Sequence, residues 1–273
     1  MDSRRMFYVL LFALSSYKIC HATNSSQQPP LLLLVSLDGL RYDFLTPDQT
    51  PNLWSLANRG VLAPDGLKTQ VFTVTTSNHQ CMATGLYQES HGLISNTFYD
   101  PTFGDFYDNW NFAWRSFGNL DVWKREVDEL LSWFSDSSND DPKINLALYY
   151  IAEPDHQLHD YGTESYQAKA MIREVDRLIG YLHQKINESE ILRRKLNLIL
   201  TSDHGHIDVP DKYYYWSHLW RYIRKNSVIE SGPSFFPRID LNVTVEEIFS
   251  NLSRAKADGF PLQIWLKEDF PEK

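Results

Sequence analysis

The chain has 273 residues, of which 42% are hydrophobic and 22% are charged. This length and composition suit a globular protein with a substantial core and exclude a largely disordered chain. The 35 acidic residues against 26 Lys and Arg give a formal net charge of −9. That charge argues against a nucleic-acid-binding surface, because phosphate backbones require clustered Lys and Arg. An acidic protein can still bind a small anionic substrate where metal ions supply local positive charge.

The first residues of the chain have the features of a secretory signal. A basic start at Arg4-Arg5 precedes a short apolar run, Met6–Ser15, and Cys20-His21-Ala22 offers the small residues of a cleavage site. The apolar run is too short to span a bilayer, and no later run reaches the roughly 18 residues that a membrane helix needs. We therefore expect residues 1–22 to be a signal peptide and the product to be secreted, extracellular and without a membrane span.

Glycosylation sequons of the form Asn-X-Ser/Thr occur at Asn24, Asn187, Asn242 and Asn251. One sequon would mean little, but four behind a signal are typical of a glycosylated export product. Removal of the signal would leave Cys81 as the single cysteine, which we interpret as a small buried hydrophobe rather than a reactive thiol. We expect the fold to be stabilised by its core or by bound metal instead of by disulfides.

Three apolar runs predict buried parallel strands, and each is followed by an aspartate. The runs are Leu31–Leu37, Ile144–Ile151 and Leu196–Leu200, and the aspartates that follow them are Asp38, Asp155 and Asp203. Predicted helices alternate with them, one capped by Thr50 and ending before Gly60, the other over 164–185. This alternation predicts an α/β fold with a mainly parallel central sheet flanked by helices, whose active site lies at the carboxyl ends of the strands.

Other segments depart from that pattern. The stretch from Tyr99 to Trp123 is rich in aromatic residues and short of periodicity, so we predict a loop that covers the sheet edge or lines a pocket. Further on, the sequence predicts a helix over Val245–Ala255, and Leu262–Leu266 could form a strand.

Carboxylates and imidazoles gather at the predicted strand ends, and this set is what zinc prefers as ligands. The candidates are Asp38, Asp155, His159, Asp203 and His204. Asp155 and His159 are one helical turn apart, so both side chains can point the same way. Taken singly, an aspartate after a strand is more often a helix cap, and a lone histidine is more often a surface residue. Their combination at three strand ends favours a metal site.

A hydroxyl-rich segment, residues 73–79, precedes the apolar stretch Met82–Leu86. Composition alone favours a turn that caps a helix. The functional alternative is a nucleophile at a helix N-terminus, where backbone N–H groups favour an anion. A threonine hydroxyl needs a metal or a base to activate it, and Thr75 would meet that need beside a metal bound by Asp38, Asp203 and His204.

Several segments, in this order along the chain, resemble the ectonucleotide pyrophosphatase/phosphodiesterase family of the alkaline phosphatase superfamily. They are Val35-Ser36-Leu37-Asp38-Gly39, Thr75-x-x-Asn78-His79, Thr84-Gly85-Leu86-Tyr87 to Ser90-His91-Gly92, Tyr99-Asp100-Pro101, Glu153-Pro154-Asp155 with His159, and Ser202-Asp203-His204-Gly205. The resemblance implies an alkaline-phosphatase-like fold, incomplete at the C-terminus. Residues 31–273 would form a partial phosphodiesterase catalytic domain, after a short linker over residues 23–30.

The resemblance also implies roles for individual residues. Two zinc ions are expected, the first held by Asp38, Thr75, Asp203 and His204 and the second by Asp155 and His159. Thr75 would attack phosphorus and form a phospho-threonine intermediate. Asn96 stands where the family places an asparagine that binds a phosphate oxygen, and Tyr150 matches a tyrosine of the substrate pocket.

The sequence departs from the family pattern at three places. The family's third ligand for the second zinc lies in a segment beyond the end of this chain, and neither His206 nor His218 belongs to that motif. The region between Tyr99 and Val127 is shorter than in relatives. Thr76 also follows Thr75 where nucleotide-cleaving relatives usually have a base-stacking Phe, and a threonine has no aromatic face. We therefore expect a second zinc site that lacks one ligand.

Three functions remain open on these grounds. The first is a secreted two-zinc phosphodiesterase that hydrolyses nucleotide pyrophosphate or phosphodiester bonds. The second is a phosphodiesterase acting on choline phosphate or lysophospholipid, which the absence of the stacking Phe favours. The third is a secreted fragment that binds its ligand without turnover.

Overall fold

The central sheet forms around the most apolar segment of the chain, the strand β1 (Leu31–Leu37). In the computed structural model, β1 lies between β4 (Leu146–Ile151) and β5 (Leu196–Thr201), and all three strands are parallel. The structure describes residues 30–100, 105–108, 118–134, 144–209, 216–224, 227–231, 234–237 and 242–269. The predicted signal peptide and Asn24 lie outside these residues.

The described part of the chain also contains helices and two short hairpins. The helices are α1 (Pro51–Ala57), α2 (Thr75–Thr84), α3 (Gln88–His91), α4 (Leu120–Phe134), α5 (Asp155–Tyr161), α6 (Tyr166–Glu188), α7 (Glu190–Lys195), α8 (Trp216–Leu219) and α9 (Val245–Ala257). The hairpins pair β2 (Thr97–Asp100) with β3 (Asp105–Asp108), and β6 (Val228–Ser231) with β7 (Ser234–Pro237), both antiparallel. Among the described helices, none is both long enough and apolar enough to cross a bilayer.

The predicted α/β class with a mainly parallel sheet is confirmed, and the strand register explains how the site is placed. Ser36 of β1 pairs with Thr201 of β5, and Leu37 pairs with Ile151 of β4. Asp38 and Asp203, each two positions beyond the paired Ser36 and Thr201, therefore leave the sheet at the same edge. Parallel strands bring their carboxyl ends together in this way.

One face of the sheet carries most of the core. Alternate β1 residues, beginning at Leu31 and ending at Leu37, are almost fully buried because α4 and α6 pack over that face. Trp123 of α4 and Leu178 of α6 are completely buried in the same cluster. The rigid layer beneath the strands holds the residues that follow them in fixed positions.

The N-terminus of α1 is capped from a distant helix rather than by its own N-cap residue. Thr50 makes no side-chain capping bond. Instead, the buried Asp176 of α6 accepts hydrogen bonds from the backbone N–H groups of Asn52, at 3.2 Å, and Leu53, at 2.8 Å. Its carboxylate also accepts a bond of 2.8 Å from the side chain of Asn52. Asp176 therefore joins α1 to α6 and satisfies helix donors that are otherwise without partners.

Two predictions about the less regular segments are wrong. The stretch from Tyr99 to Trp123 contains the end of β2, all of β3 and the start of α4, where we predicted a loop; its residues 101–104 and 109–117 lie outside the described part. Leu262–Leu266 alternates in burial as a strand does, but it pairs with no strand among the described residues. A strand needs a hydrogen-bonded neighbour, which local sequence does not reveal.

Replacing Asp176 with Asn should lower the free energy of unfolding by about 1 to 3 kcal/mol, because an amide leaves buried donors unsatisfied and adds an N–H group facing them. Denaturant unfolding monitored by circular dichroism measures this change. Glu174→Gln, at a half-exposed position of α6 where the carboxylate pairs with the exposed Arg177, is the matched control and should cost less than about 0.5 kcal/mol. Equal stability of Asp176→Asn and the wild type would contradict the capping role.

Candidate active site

Two carboxylates and an imidazole meet just beyond the carboxyl ends of β1 and β5. The Nε2 atom of His204 lies 3.5 Å from Oδ1 of Asp38 and 3.4 Å from Oδ2 of Asp203. The Asp203 side chain is completely buried and the Asp38 side chain is 4% exposed. Those same two carboxylate oxygens have no hydrogen-bond partner among the described residues. Buried carboxylate oxygens are normally satisfied, so this pair is suited to a bound cation.

The spacing of these atoms fits a zinc ion. Two ligands about 2.0 to 2.1 Å from one tetrahedral zinc lie roughly 3.3 to 3.4 Å from each other. The contacts of His204 with the two carboxylates are within 0.2 Å of that separation, and Oγ1 of Thr75 lies 3.5 Å from the same Nε2 atom. Asp38, Thr75, Asp203 and His204 could therefore hold one metal ion, as the sequence predicted.

The pKa values of the three side chains also fit a site for a cation. Burial raises the pKa of Asp38 to about 8, and the neighbouring charges of Asp203 and Asp155 add to the rise. Burial also raises the pKa of Asp203. Although burial lowers the pKa of His204, the carboxylates of Asp203 and Asp38 raise it above its ordinary value overall. A bound cation would remove this unfavourable charge pattern by stabilising the ionised carboxylates.

Thr75 is the first residue of α2, and the N-cap residue Val74 provides no side-chain cap. The helix thus directs its N-terminus, which favours anions, toward the place where Thr75 meets His204. His79, one turn later, holds this end of the helix. Its Nδ1 lies 2.7 Å from the Thr75 carbonyl oxygen and its Nε2 lies 2.9 Å from the Ser36 hydroxyl. Burial lowers the pKa of His79, which favours a neutral imidazole whose Nδ1–H donates to the Thr75 carbonyl oxygen and whose Nε2 accepts from the Ser36 hydroxyl.

Asn96 and Tyr150 also lie at the site. The Oδ1 atom of Asn96 accepts a 2.8 Å hydrogen bond from the backbone N–H of Thr76, so the amide NH₂ is the half of the side chain that remains for a phosphate oxygen. The Tyr150 hydroxyl donates to Oδ2 of Asp38. That contact makes Tyr150 a partner of the carboxylate as well as a candidate pocket residue.

A second group of potential metal ligands lies beside the first. Oδ2 of Asp155, the first residue of α5, is 3.4 Å from Nε2 of His159, the predicted neighbour one turn along. Gly39 separates the two groups: its N–H donates to Oδ1 of Asp203 at 3.2 Å, and a Cβ at this position would lie 2.8 Å from Oδ1 of Asp155. With its φ of 70°, Gly39 adopts a backbone conformation that favours glycine and lets the two groups approach closely.

The structure adds a residue to the second group. His206 places its Nδ1 3.2 Å from Oδ1 of Asp155, and ligating atoms of Asp155, His159 and His206 all lie within 4.8 Å of one another. From the sequence we expected a second site with Asp155 and His159, and His206 was not among its predicted ligands. The signal available was the position of His206 in the segment after β5, two residues beyond the predicted ligand His204.

Comparison with known proteins identifies the family. A family model described as type I phosphodiesterase / nucleotide pyrophosphatase matches residues 32–124 and 108–273. The chain belongs to this family. Ectonucleotide pyrophosphatase/phosphodiesterase family member 7 is 28% identical in Mus musculus, over 97% of this chain, and 30% identical in Rattus norvegicus, over 90%. Bis(5'-adenosyl)-triphosphatase ENPP4 of Bos taurus is 28% identical over 93%. The chain spans 63 to 70% of the length of these relatives.

Solved structures agree on the fold of this family member. Murine ectonucleotide pyrophosphatase/phosphodiesterase 5, an inactive threonine-to-alanine variant in complex with AMP, superimposes with a TM-score of 0.72 at 24% identity, covering 89% of this chain and 74% of that one. The human protein of the same name gives a TM-score of 0.71 at 24% identity, covering 88% and 73%. The alkaline-phosphatase-like fold expected from the resemblance is thereby confirmed.

The raised pKa of Asp38 predicts how the metal-free phosphodiesterase responds to pH. The folded protein keeps a proton on Asp38 up to about pH 8, whereas the unfolded chain releases it near pH 4. The unfolded state therefore binds fewer protons in this window, and the stability of the metal-free protein should fall as the pH rises through it. Thermal unfolding of chelator-treated protein at about pH 5 and about pH 8 measures the fall.

The Asp38→Asn variant tests whether Asp38 causes this fall in stability with rising pH. It should reduce the loss of stability with pH and also abolish the rise in melting temperature that added zinc gives the wild type at high pH. A zinc effect of undiminished size in Asp38→Asn would contradict the assignment of this carboxylate to the metal site.

Proposed function

We propose that this chain is a secreted two-zinc phosphodiesterase that hydrolyses nucleotide pyrophosphate or phosphodiester bonds through a phospho-threonine intermediate. The observation that carries the proposal is the position of the Thr75 hydroxyl. It lies 3.5 Å from the His204 nitrogen that also faces the two unsatisfied carboxylate oxygens of Asp38 and Asp203. A hydroxyl among metal-ligating groups at a helix N-terminus is suited to attack phosphorus.

Asp38, Asp203, His204 and Thr75 would hold one zinc, and Asp155 and His159 would hold the other. Zinc bound there would neutralise phosphate charge and lower the pKa of a coordinated hydroxyl or water. The protein fixes these side chains before substrate arrives, since Gly39, Tyr150 and the strand ends already hold the carboxylates in place.

Catalysis by the chain's own residues would take two steps. In the first, Oγ1 of Thr75 forms a bond to phosphorus while the bond to the leaving oxygen breaks on the opposite side, and the hydroxyl proton is carried away by the released group. In the second, water hydrolyses the threonine phosphate ester and restores the hydroxyl. The NH₂ of Asn96, whose amide is oriented by the Thr76 N–H, would donate to a phosphate oxygen in both steps.

The substrate class follows from the phosphate-binding groups and from the relatives. Two relatives carry adenine nucleotides in their names: the murine structure is a complex with AMP, and the bovine relative is a bis(5'-adenosyl)-triphosphatase. In this chain Thr76 offers no aromatic face to a base, which favours choline phosphate or lysophospholipid as the second candidate. Tyr150 can contact either substrate.

Secretion and glycosylation are part of the proposal and rest on the signal-like residues 1–22 and the sequons. Asn242 is exposed in a turn, with a φ of 55°, and is accessible for modification. Asn187 is exposed near the end of α6, while Asn251 is half-buried in α9 and its side-chain oxygen accepts from Arg254. We expect occupancy to be highest at Asn242 among these three.

Replacing Thr75 with Ala should lower turnover on the order of 10³-fold or more, because the variant has no nucleophile to form the ester. The assay uses zinc-loaded protein with the nitrophenyl ester of thymidine monophosphate and, in parallel, nitrophenyl phosphorylcholine. Thr75→Ser, which keeps a hydroxyl, should retain measurable activity. Thr84→Ala, at the exposed far end of the same helix, is the matched control and should leave turnover unchanged.

The pattern of results separates the candidate functions. Turnover of the thymidine ester that depends on Thr75 supports the nucleotide proposal. Turnover of the choline ester alone would replace it with the second candidate. Zinc-loaded wild type that turns over neither ester would contradict a phosphodiesterase and favour a binding protein.

A further inference from the structure

His206 lies beside Asp155 and His159, and both imidazoles approach the Asp155 carboxylate. Its Nδ1 lies 3.2 Å from Oδ1 of Asp155, while Nε2 of His159 lies 3.4 Å from the other carboxylate oxygen. The two imidazole rings meet edge to face, with centroids 4.6 Å apart and an interplanar angle of 86°. The carboxylate thus lies in contact with one nitrogen of each ring, at separations typical of ligands that share one ion.

The backbone around His206 is anchored on both sides. Arg41 donates from Nη1 to the His206 carbonyl oxygen at 2.7 Å. Two residues later, the carboxylate of Asp208 accepts from the N–H and the hydroxyl of Thr163, both at 2.9 Å. These bonds connect the segment after β5 to the end of β1 and to the turn after α5. The imidazole is therefore positioned by the fold, with 13% of its side chain exposed.

The chemistry of the group matches an open zinc site. Catalytic zinc sites use three protein ligands and leave a further position for water or substrate, and one carboxylate with two imidazoles is such a set. Asp155 and His159 alone fall one ligand short. The exposed side of the group is at His159, whose side chain is 68% exposed, so the open position faces solvent.

We propose that His206 is a third protein ligand of the second metal site, beside Asp155 and His159. This inference rests on the proposed two-zinc function. Zinc would bind the Nδ1 lone pair of a neutral His206, with the remaining proton on Nε2. The sequence His204-Gly205-His206 then supplies one ligand to each of two neighbouring sites.

The alternative role for His206 is to donate a hydrogen bond that orients Asp155 without touching the metal. The two roles differ in what an asparagine can replace. His206→Asn keeps a hydrogen-bond donor near Asp155 but removes the imidazole, whereas His206→Ala removes both. A ligand role predicts that both variants lose the second metal, and an orienting role predicts that Asn rescues it.

The experiment is a metal titration of the full chain after removal of metal by chelation. Cobalt(II) binding is followed by its visible absorption, and zinc content after dialysis is measured by mass spectrometry. Wild type should bind two ions per chain, whereas His206→Asn should keep the first and bind the second about 100-fold more weakly or worse. His218→Asn, an exposed histidine of α8 that belongs to neither group, is the matched control and should bind two ions.

A variant that still binds the first ion is folded. If His206→Ala does not fold, His206→Asn alone is sufficient for the test. Wild-type affinity for the second ion in His206→Asn would overturn the inference and assign an orienting role. A wild type that binds a single ion would overturn it as well, while leaving the first site in place. A wild type that binds neither ion would instead contradict the proposed function itself.

Discussion

Two carboxylates, those of Asp38 and Asp203, are buried side by side at the ends of neighbouring parallel strands, and each has an oxygen that no described protein group satisfies. Hydrophobic packing forces this arrangement, because the strands before these residues are locked in register by the core. Burying like charges together costs free energy that the protein alone does not offset. The rest of the site is organised around the cation that would offset it.

Several contacts are explained by that requirement. Tyr150 and the backbone N–H groups of Gly39 and His204 take up the other oxygens of the two carboxylates, at 3.2 Å for Gly39 and 2.9 Å for His204. Each contact fixes one oxygen and leaves the other directed toward His204 Nε2. The N-terminus of α2 then presents Thr75 to the same point. This preorganisation is what lets a weak nucleophile act on a charged substrate.

Much of this could be predicted from the sequence, because it depends on local pattern. β1 has the predicted bounds, and the continuous apolar runs correctly placed three aspartates at one sheet edge. The predictions that failed concern features that depend on contacts between residues distant in sequence. The cap of α1 comes from Asp176, over 120 positions away along the chain, and the β2–β3 hairpin lacks an apolar pattern of its own.

The position of His206 shows the same limit within the site. Its distance along the chain from His204 is two residues, yet the two side chains lie in different groups of potential metal ligands. No spacing rule predicts that separation, because the His206 backbone is held by a residue distant in sequence, Arg41, which donates to its carbonyl oxygen. Family motifs therefore pointed to Asp38, Asp203 and His204 as one group, whereas the place of His206 beside Asp155 and His159 is visible only in the fold.

We propose that this chain holds two metal ions at the carboxyl edge of its sheet. Crystals of the zinc-loaded protein, measured above and below the zinc absorption edge, test it most directly. The account predicts two anomalous peaks, one among Asp38, Asp203 and His204 and one among Asp155, His159 and His206. A map that lacks either peak, from protein that contains zinc, would contradict it.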